Sequence, residues 1–413
     1  MIHIEVPVHP LTGLGRAPYP RVLAAAALSN LGDGIRLVAL PLLAATLTRD
    51  PALVGGLTAC AYLPWVLFGL PIGALVDRGR PEVFMAVANV GRAVLLGLLT
   101  VALLADAGSM VALYVVAFLL GVGEAAYDNA AQSLVPKIVP DGRLEAANSG
   151  LVTAERVGQD LVGPAVGGML FAAAMTVPFG LNAVTLALAA ALLAGIRTAR
   201  PATPPRDAVI RDAVVRNAVV RDALEGMRWL VRPHLVRTVV LLGCVLNFMT
   251  LAWESTLVLL AVGPMRLSDG GFGVMLAAGA VGGVAGAVVT PALVRRFDRR
   301  WLQVASLALC AVVDLLLAAF PTPVMGALAW GGTGAGFAVW NVLSVTLRQR
   351  EVPPELLGRV NSASRTLSMA AAPLGALAGG ALAAGAGLRA PLWIAGVTLA
   401  VLAGAFALSV RSA

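Results

Sequence analysis

Lysine is almost missing from this chain: Lys137 is the single lysine among 30 basic residues in 413. Histidine and cysteine are scarce too, at three each. Cys60, Cys244 and Cys310 fall in separate apolar runs, with neither metal-ligand spacing nor the look of a disulfide framework, and read as small buried hydrophobes. His3, His9 and His234 lie at the N-terminus and near a helix start, which argues against a histidine-based catalytic or zinc site. No GxxxxGK[ST] pattern is present, so ATP does not drive the protein directly. DDxxD, HExxH and a paired Ser/His arrangement are missing as well, so no enzyme is expected, and no cofactor. The N-terminus has no basic region followed by a cleavage site, so no removed signal peptide is expected. Charge is thin overall. Charged residues make up 13% of the chain, against about 25% in a soluble domain.

Apolar residues fill that space. They form 59% of the chain, and the mean hydropathy is +0.87. The net charge of +8 would suit nucleic acid. The basic residues, however, sit in short loops between apolar runs rather than in one patch, as in a multi-span membrane protein. Nucleic acid is therefore excluded as a partner, and the lipid bilayer is expected. The bias to Arg, Ala and Gly hints at a GC-rich bacterial genome, which places the chain in a bacterial plasma membrane.

A membrane helix needs about 20 apolar residues. Twelve stretches qualify, near 21–47, 52–76, 83–105, 109–135, 146–172, 177–197, 235–262, 271–294, 301–320, 323–347, 359–385 and 390–410. The 10-residue alternating segments of a β-barrel do not occur. With the N-terminus inside, the outer loops carry only Arg49, Arg266 and Arg389, while the inner loops and termini carry most of the other arginines. That asymmetry puts both termini in the cytoplasm.

The chain divides into a cytoplasmic N-terminal segment (1–20), a six-helix bundle (21–197), a basic linker (198–234) and a second six-helix bundle (235–413). RDAVI, RDAVV, RNAVV and RDALE follow in tandem at 206–225, with a period that matches neither a helix face nor a heptad. They read as a basic surface segment drawn to anionic lipid, with a regulatory role as the alternative. The two halves resemble each other. GALVDRGRPEVF (73–84) corresponds to PALVRRFDRRWL (291–302), VPDGRLEAANSG (139–150) to VPPELLGRVNSA (352–363), and GPAVGG (163–168) to GALAGG (375–380). Duplicated six-span halves suit a secondary transporter with its substrate site between them at mid-membrane.

GALVDRGR, placed after the second span, resembles a loop motif of the major facilitator superfamily. Gly73, Leu75, Asp77, Arg78 and Arg80 match its pattern. GPAVGG in the fifth span resembles the antiporter motif of that superfamily's drug/proton exporters, through Gly163, Pro164, Gly167 and Gly168. LGDG–ALPLL, LVPKIVPDGRLEAANS and LRQREVPPELLGRVNS extend the likeness over nearly the whole chain, toward the enterobactin-exporter and macrolide-efflux branch. The resemblance implies an all-α fold of 12 transmembrane helices in two pseudo-symmetric bundles. It also implies that Gly73, Asp77, Arg78 and Arg80 form a conformational latch, with Asp77 facing the positive N-terminal end of the eleventh span. A generic turn rich in positive-inside arginines is the alternative. GPAVGG would kink its helix or simply allow close packing.

Ionisable groups at membrane depth are costly unless paired or hydrated, so each is a functional candidate. Asp33 and Arg36 lie three residues apart on one face of the first span. Glu124 and Asp128 share a face of the fourth, and Asp160 precedes GPAVGG on the fifth, with Glu155 nearby. A carboxylate away from water can take up and release protons near neutral pH. Asp33, Glu124, Asp128 and Asp160 are therefore proton-coupling candidates, with Arg36, Arg92 and Arg156 as counter-charges. Static ion pairing between helices is the alternative for each. The second half adds Glu254, Asp314, Asn341 and Arg365. Tyr62, Trp65, Phe118, Tyr127, Phe248, Met249, Trp253, Phe337 and Trp340 are candidate walls of an apolar cavity suited to amphiphilic cargo, with Glu254 and Asn341 as polar anchors. These features predict a monomeric, proton-driven exporter of a lipophilic small molecule such as an antibiotic, siderophore or secreted metabolite. An importer, an uncoupled facilitator or a non-transporting membrane sensor are the competing readings.

Overall fold

The computed structural model describes residues 18–196, 227–231 and 235–411, without the side chains of Leu70, Ala74, Asp77, Arg78, Asp141, Pro354 and Glu355. The side chains at the centre of the expected latch, Asp77 and Arg78, and the 206–225 repeats thus lie outside the described residues.

The described chain is helical and contains no strand. In the first half run α1 (Tyr19–Leu47), α2 (Pro51–Arg78), α3 (Pro81–Leu104), α4 (Met110–Ile138), α5 (Leu144–Glu155), α6 (Gly163–Ala173) and α7 (Val177–Ala194). A π-helical segment, Arg156–Val162, joins α5 to α6 without a break. In the second half run α8 (Leu235–Glu254), α9 (Leu257–Val262), α10 (Asp269–Arg296), α11 (Arg299–Ala319), α12 (Pro323–Glu351), α13 (Pro354–Ala386) and α14 (Ala390–Arg411). Ten helices among the described residues are long and apolar enough to cross a membrane. The two expected spans outside that number are the α5–π–α6 run, which carries Glu155, Arg156 and Asp160, and α12, which ends in the polar TLRQRE.

Local chemistry sets where the helices start. Asp50, Ser109, Ser268, Asp298 and Thr322 each accept a hydrogen bond from a main-chain N–H two or three residues on, at 2.8–3.2 Å. These N-caps satisfy donors the first turn would otherwise leave open. Pro51, Pro81, Pro323 and Pro354 each open a helix, where the missing N–H costs nothing.

The packing repeats between halves. α2 lies on α4, α3 on α4 and α7, and α1 on α6; correspondingly, α10 lies on α12, α11 on α12 and α14, and α8 on α13. The internal sequence repeat is therefore a repeat of architecture. Outward-facing positions are apolar: Val87, Leu98, Val101 and Leu104 on α3, and Val284 and Val288 on α10, are all more than half exposed. Apolar exposure of that extent marks a surface made for lipid rather than water.

The halves meet chiefly through two crossings, α13 on α2 and α6 on α10. Both are made of main chain. A Cβ on Gly380 would stand 2.9 Å from the Pro51 carbonyl oxygen and 3.2 Å from the Gly55 Cα, and one on Gly55 would stand 2.7 Å from the Ala376 oxygen. At the matching crossing, a Cβ on Gly168 would collide with the Asp269 carbonyl oxygen, and one on Gly273 with that of Pro164. Both contacts lie at the first turns of α2 and α10. That is the end of the molecule opposite Arg80, Arg295, Arg296, Arg299 and Arg300.

Candidate functional site

The first half holds a chain of charges that spans three helices. Asp33 on α1 is 4% exposed, and Arg92 on α3 is 1% exposed. Arg92 Nη2 donates to Asp33 Oδ1. Its Nη1 is held at 3.3 Å by both Ser29 Oγ and Asn89 Oδ1. Arg36 Nη2 reaches the same Asp33 oxygen at 3.5 Å and Glu124 Oε2 on α4 at 2.7 Å. The order is thus Arg92, Asp33, Arg36, Glu124, running from a fully buried end to a half-open one. Breaking a buried pair by removing one partner typically costs about 3–5 kcal/mol, because it strands the other charge. The network therefore also binds α1, α3 and α4 together.

Asp128 stands one turn from Glu124, half-buried, and makes no hydrogen bond or ion pair among the described residues. It lies within the electrostatic reach of Glu124, Asp33, Arg92 and Glu155. Asp160 accepts from Arg156 Nη1 at 2.6 Å, at the more exposed end of the cluster. Five carboxylates (Asp33, Glu124, Asp128, Glu155, Asp160) thus share this region with three guanidinium groups (Arg36, Arg92, Arg156), an excess of two.

Tyr62 connects this region to the other half. Its phenol lies in the field of Glu254 on α8 as well as Glu124, Arg36 and Asp160. Glu254 is half-buried, with no ion pair among the described residues, at the last turn of α8 before the break at Ser255 and Thr256. The site therefore gathers α1, α2, α3, α4, the end of α5, the π segment and α8. The π segment also presses on α1: a Cβ on Gly34 would stand 2.6 Å from the Gln159 carbonyl oxygen, and one on Gly163 2.6 Å from the Gly34 Cα. Gly34, next to Asp33, and Gly163, which opens GPAVGG, thus let α1 and the fifth span touch. Gly167 lies against Ile35 in the same seam.

The other candidate residues are dispersed. Trp253 is 2% exposed, meets Trp330 edge-on at 5.3 Å and belongs to the central apolar cluster. Trp340 packs among Leu242, Leu307 and Cys310, and Tyr127 among Val76, Met85 and Leu134. Trp65, Phe118, Phe248, Met249 and Phe337 are half-buried, and Asn341 and Arg365 are exposed. Asp314 is 1% exposed on α11, away from the cluster, with Oδ1 unbonded. Of the expected latch, Gly73 faces Asn129. Arg80 directs Nε and Nη2 to Oε1 of the buried Glu82, at 2.9 and 2.8 Å. Motifs and membrane depth alone do not single out Glu82, Ser29 and Asn89. Ser29 lies on the turn before Asp33 and Asn89 on the turn before Arg92, and that spacing was the available signal.

Two helical halves repeated in packing, an apolar exterior, and a charge cluster that reaches from the first half toward Glu254 of the second define the architecture of a multi-pass membrane carrier. A sequence model of the Major Facilitator Superfamily matches residues 22–370 and 264–412, and the chain belongs to that family. It is 27% identical over 398 residues to the uncharacterized MFS-type transporter y4rN of Sinorhizobium fredii, covering 94% of each chain. It is 27% identical over 397 residues to the multidrug efflux pump Tap of Mycolicibacterium fortuitum, covering 92% of each. Among solved structures, a bacterial homolog of the human lysosomal transporter Spinster, inward-facing and unoccupied, superposes with a TM-score of 0.73 at 15% identity over 95% of this chain and 96% of that one. A bacterial homologue of the iron transporter ferroportin, also inward-facing, gives 0.68 at 19% identity over 94% and 98%. The chain is a multi-pass protein of the bacterial plasma membrane, of a family that moves small molecules.

Proposed function

We propose that this protein is a proton-coupled exporter of lipophilic small molecules. In this exporter twelve membrane crossings form two six-helix bundles, with both termini in the cytoplasm. The α5–π–α6 run and α12 supply the crossings beyond the ten apolar helices. The observation that carries this reading is the excess of carboxylates over arginines in the first-half cluster, with Asp128 unpaired among the described residues beside the Arg36–Glu124 pair. An excess of two negative charges in a membrane interior calls for compensation by protons or by cargo. Competition between the two is what antiport requires. The α6–α10 and α13–α2 crossings close the end away from the arginine-rich loops, so the cleft opens toward the cytoplasm, where an exporter loads.

The named efflux relatives point the same way. Asp33, Glu124, Asp128 and Asp160 are the proton-handling candidates, and Arg36, Arg92 and Arg156 their counter-charges. Tyr62 and Glu254 receive cargo. Everted vesicles that overexpress the protein should accumulate an amphiphilic fluorescent dye when energised and release it on addition of a protonophore. Glu124→Gln and Asp128→Asn should each abolish concentrative uptake. Uptake that is indifferent to the protonophore, or coupling retained in both variants, would overturn the proton-antiport reading.

A further inference from the structure

A second candidate site lies on the outside of the second half. α11 and α14 touch closely near Leu315 and Gly396, where a Cβ on Gly396 would stand 2.6 Å from Leu315 Cγ. From there toward the arginine-rich end they enclose an open apolar groove. Its walls are Val304, Ala308 and Leu315 from α11, and Ala400, Gly404 and Ala407 from α14. Small side chains on both helices leave the space. The groove runs from Val304 to Leu315 along α11, eleven helical rises or about 16 Å. That is about half the 30 Å hydrocarbon core, the depth of one leaflet.

Its open end is cationic. Trp301 continues the Val304 face one turn earlier, and Arg411 continues the Ala407 face one turn later. The Arg411 guanidinium stacks over the Trp301 ring at 5.7 Å. Arg299 and Arg300 immediately precede Trp301. None of these three arginines has an ion pair among the described residues. The nearby Asp298 is engaged as a helix cap, accepting the Arg300 main-chain N–H at 2.8 Å. The corresponding loop of the first half instead pairs Arg80 with Glu82.

We propose that this groove seats one anionic phospholipid, an acyl chain along α11 and α14 and the phosphate on Arg411 and on Arg300, which stands one turn before Val304 on the groove face. The aromatic ring at the junction suits the headgroup level. The groove matches a chain in length, and the unpaired arginines match a phosphodiester in charge and in fork geometry.

Native mass spectrometry of the purified, delipidated protein tests this with phosphatidylglycerol and phosphatidylcholine of identical acyl chains. The wild type should bind its first phosphatidylglycerol about tenfold more tightly than phosphatidylcholine: both carry the phosphodiester, but the choline of the second brings a cation beside the same arginines. Arg411→Ala should weaken phosphatidylglycerol more than phosphatidylcholine and so narrow that preference. Gly404→Leu should weaken both lipids. No heavy atom lies within 4 Å of a Cβ at that glycine, so the leucine enters the groove without disturbing the helices. Excess inorganic phosphate should not displace the lipid. Equal binding of the two lipids, a Gly404→Leu variant that binds like the wild type, or displacement by phosphate would each overturn the proposal. So would a Gly404→Leu variant that loses a dimer while keeping its lipid, since the groove would then be an interface between copies.

Discussion

Asp33 and Arg92 allow a test that separates a structural ion pair from a working proton site. Arg92 is 1% exposed, and its guanidinium is held by Asp33, Ser29 and Asn89. Asp33→Asn removes the carboxylate and leaves a buried cation with two neutral acceptors at 3.3 Å. Loss of one member of a buried pair costs about 3–5 kcal/mol, and those acceptors offset part of it, so about 3 kcal/mol is expected. Arg92→Gln should cost a similar amount by stranding Asp33, which then keeps only Arg36 at 3.5 Å. In the double variant the two introduced amides form a neutral pair, and the summed loss should fall short of additivity by at least about 2 kcal/mol. Thermal unfolding in detergent reads the stability, and pH-driven dye transport in proteoliposomes reads the function. If Asp33 exchanges protons, the double variant recovers stability but not coupling. If the pair only holds α1 to α3, both recover together. Additive losses in stability would refute the geometry itself.

The two interhelix crossings predict a conformational bias. Gly168→Val and Gly380→Val each insert side-chain atoms where the facing main chain already stands at or inside contact distance. Overpacking costs about 1–3 kcal/mol, and it acts only while that end is closed, so the population should move about tenfold or more toward the open form. Spin labels at Arg49→Cys and Gly385→Cys, in a background without the native cysteines, would report the change; an unaltered distance distribution counts against it. At the other end, Tyr19→Phe deletes a 2.8 Å hydrogen bond from the phenol to the buried Ala147 carbonyl. It should lower stability by about 1 kcal/mol, measurable as a fall in midpoint without a change in transport rate.

Much of this is legible along the chain, because bilayer thickness writes itself into the length of apolar runs. The first apolar run, at 21–47, corresponds to a helix from Tyr19 to Leu47. The duplicated motifs anticipate the repeated packing. Their spacing places Asp33 and Arg36 on one face, and they do meet. The strongest partner of each is hidden, because Arg92 and Glu124 come from helices 59 and 88 residues away. Periodicity gives a helix its faces without saying which neighbour a face meets. The π segment is also invisible: Gly158 and Gly163 lie close against α1 there, a helix more than a hundred residues away in the chain. The aromatic walls are the least legible. Trp253 and Trp340 are as suited to a core as to a cavity, and both are buried in apolar clusters.

The two crossings between halves have a consequence for how such a protein changes over time. At Gly55–Gly380 and Gly168–Gly273 backbone lies on backbone, with no side chain between. A closure of that kind has no chemical preference of its own, so it does not need to be revised when the cargo changes. The cleft walls are free to vary under selection for a new compound, while the door stays the same part in every version. The glycines at the door should then be the positions least able to vary, although they touch nothing that is carried.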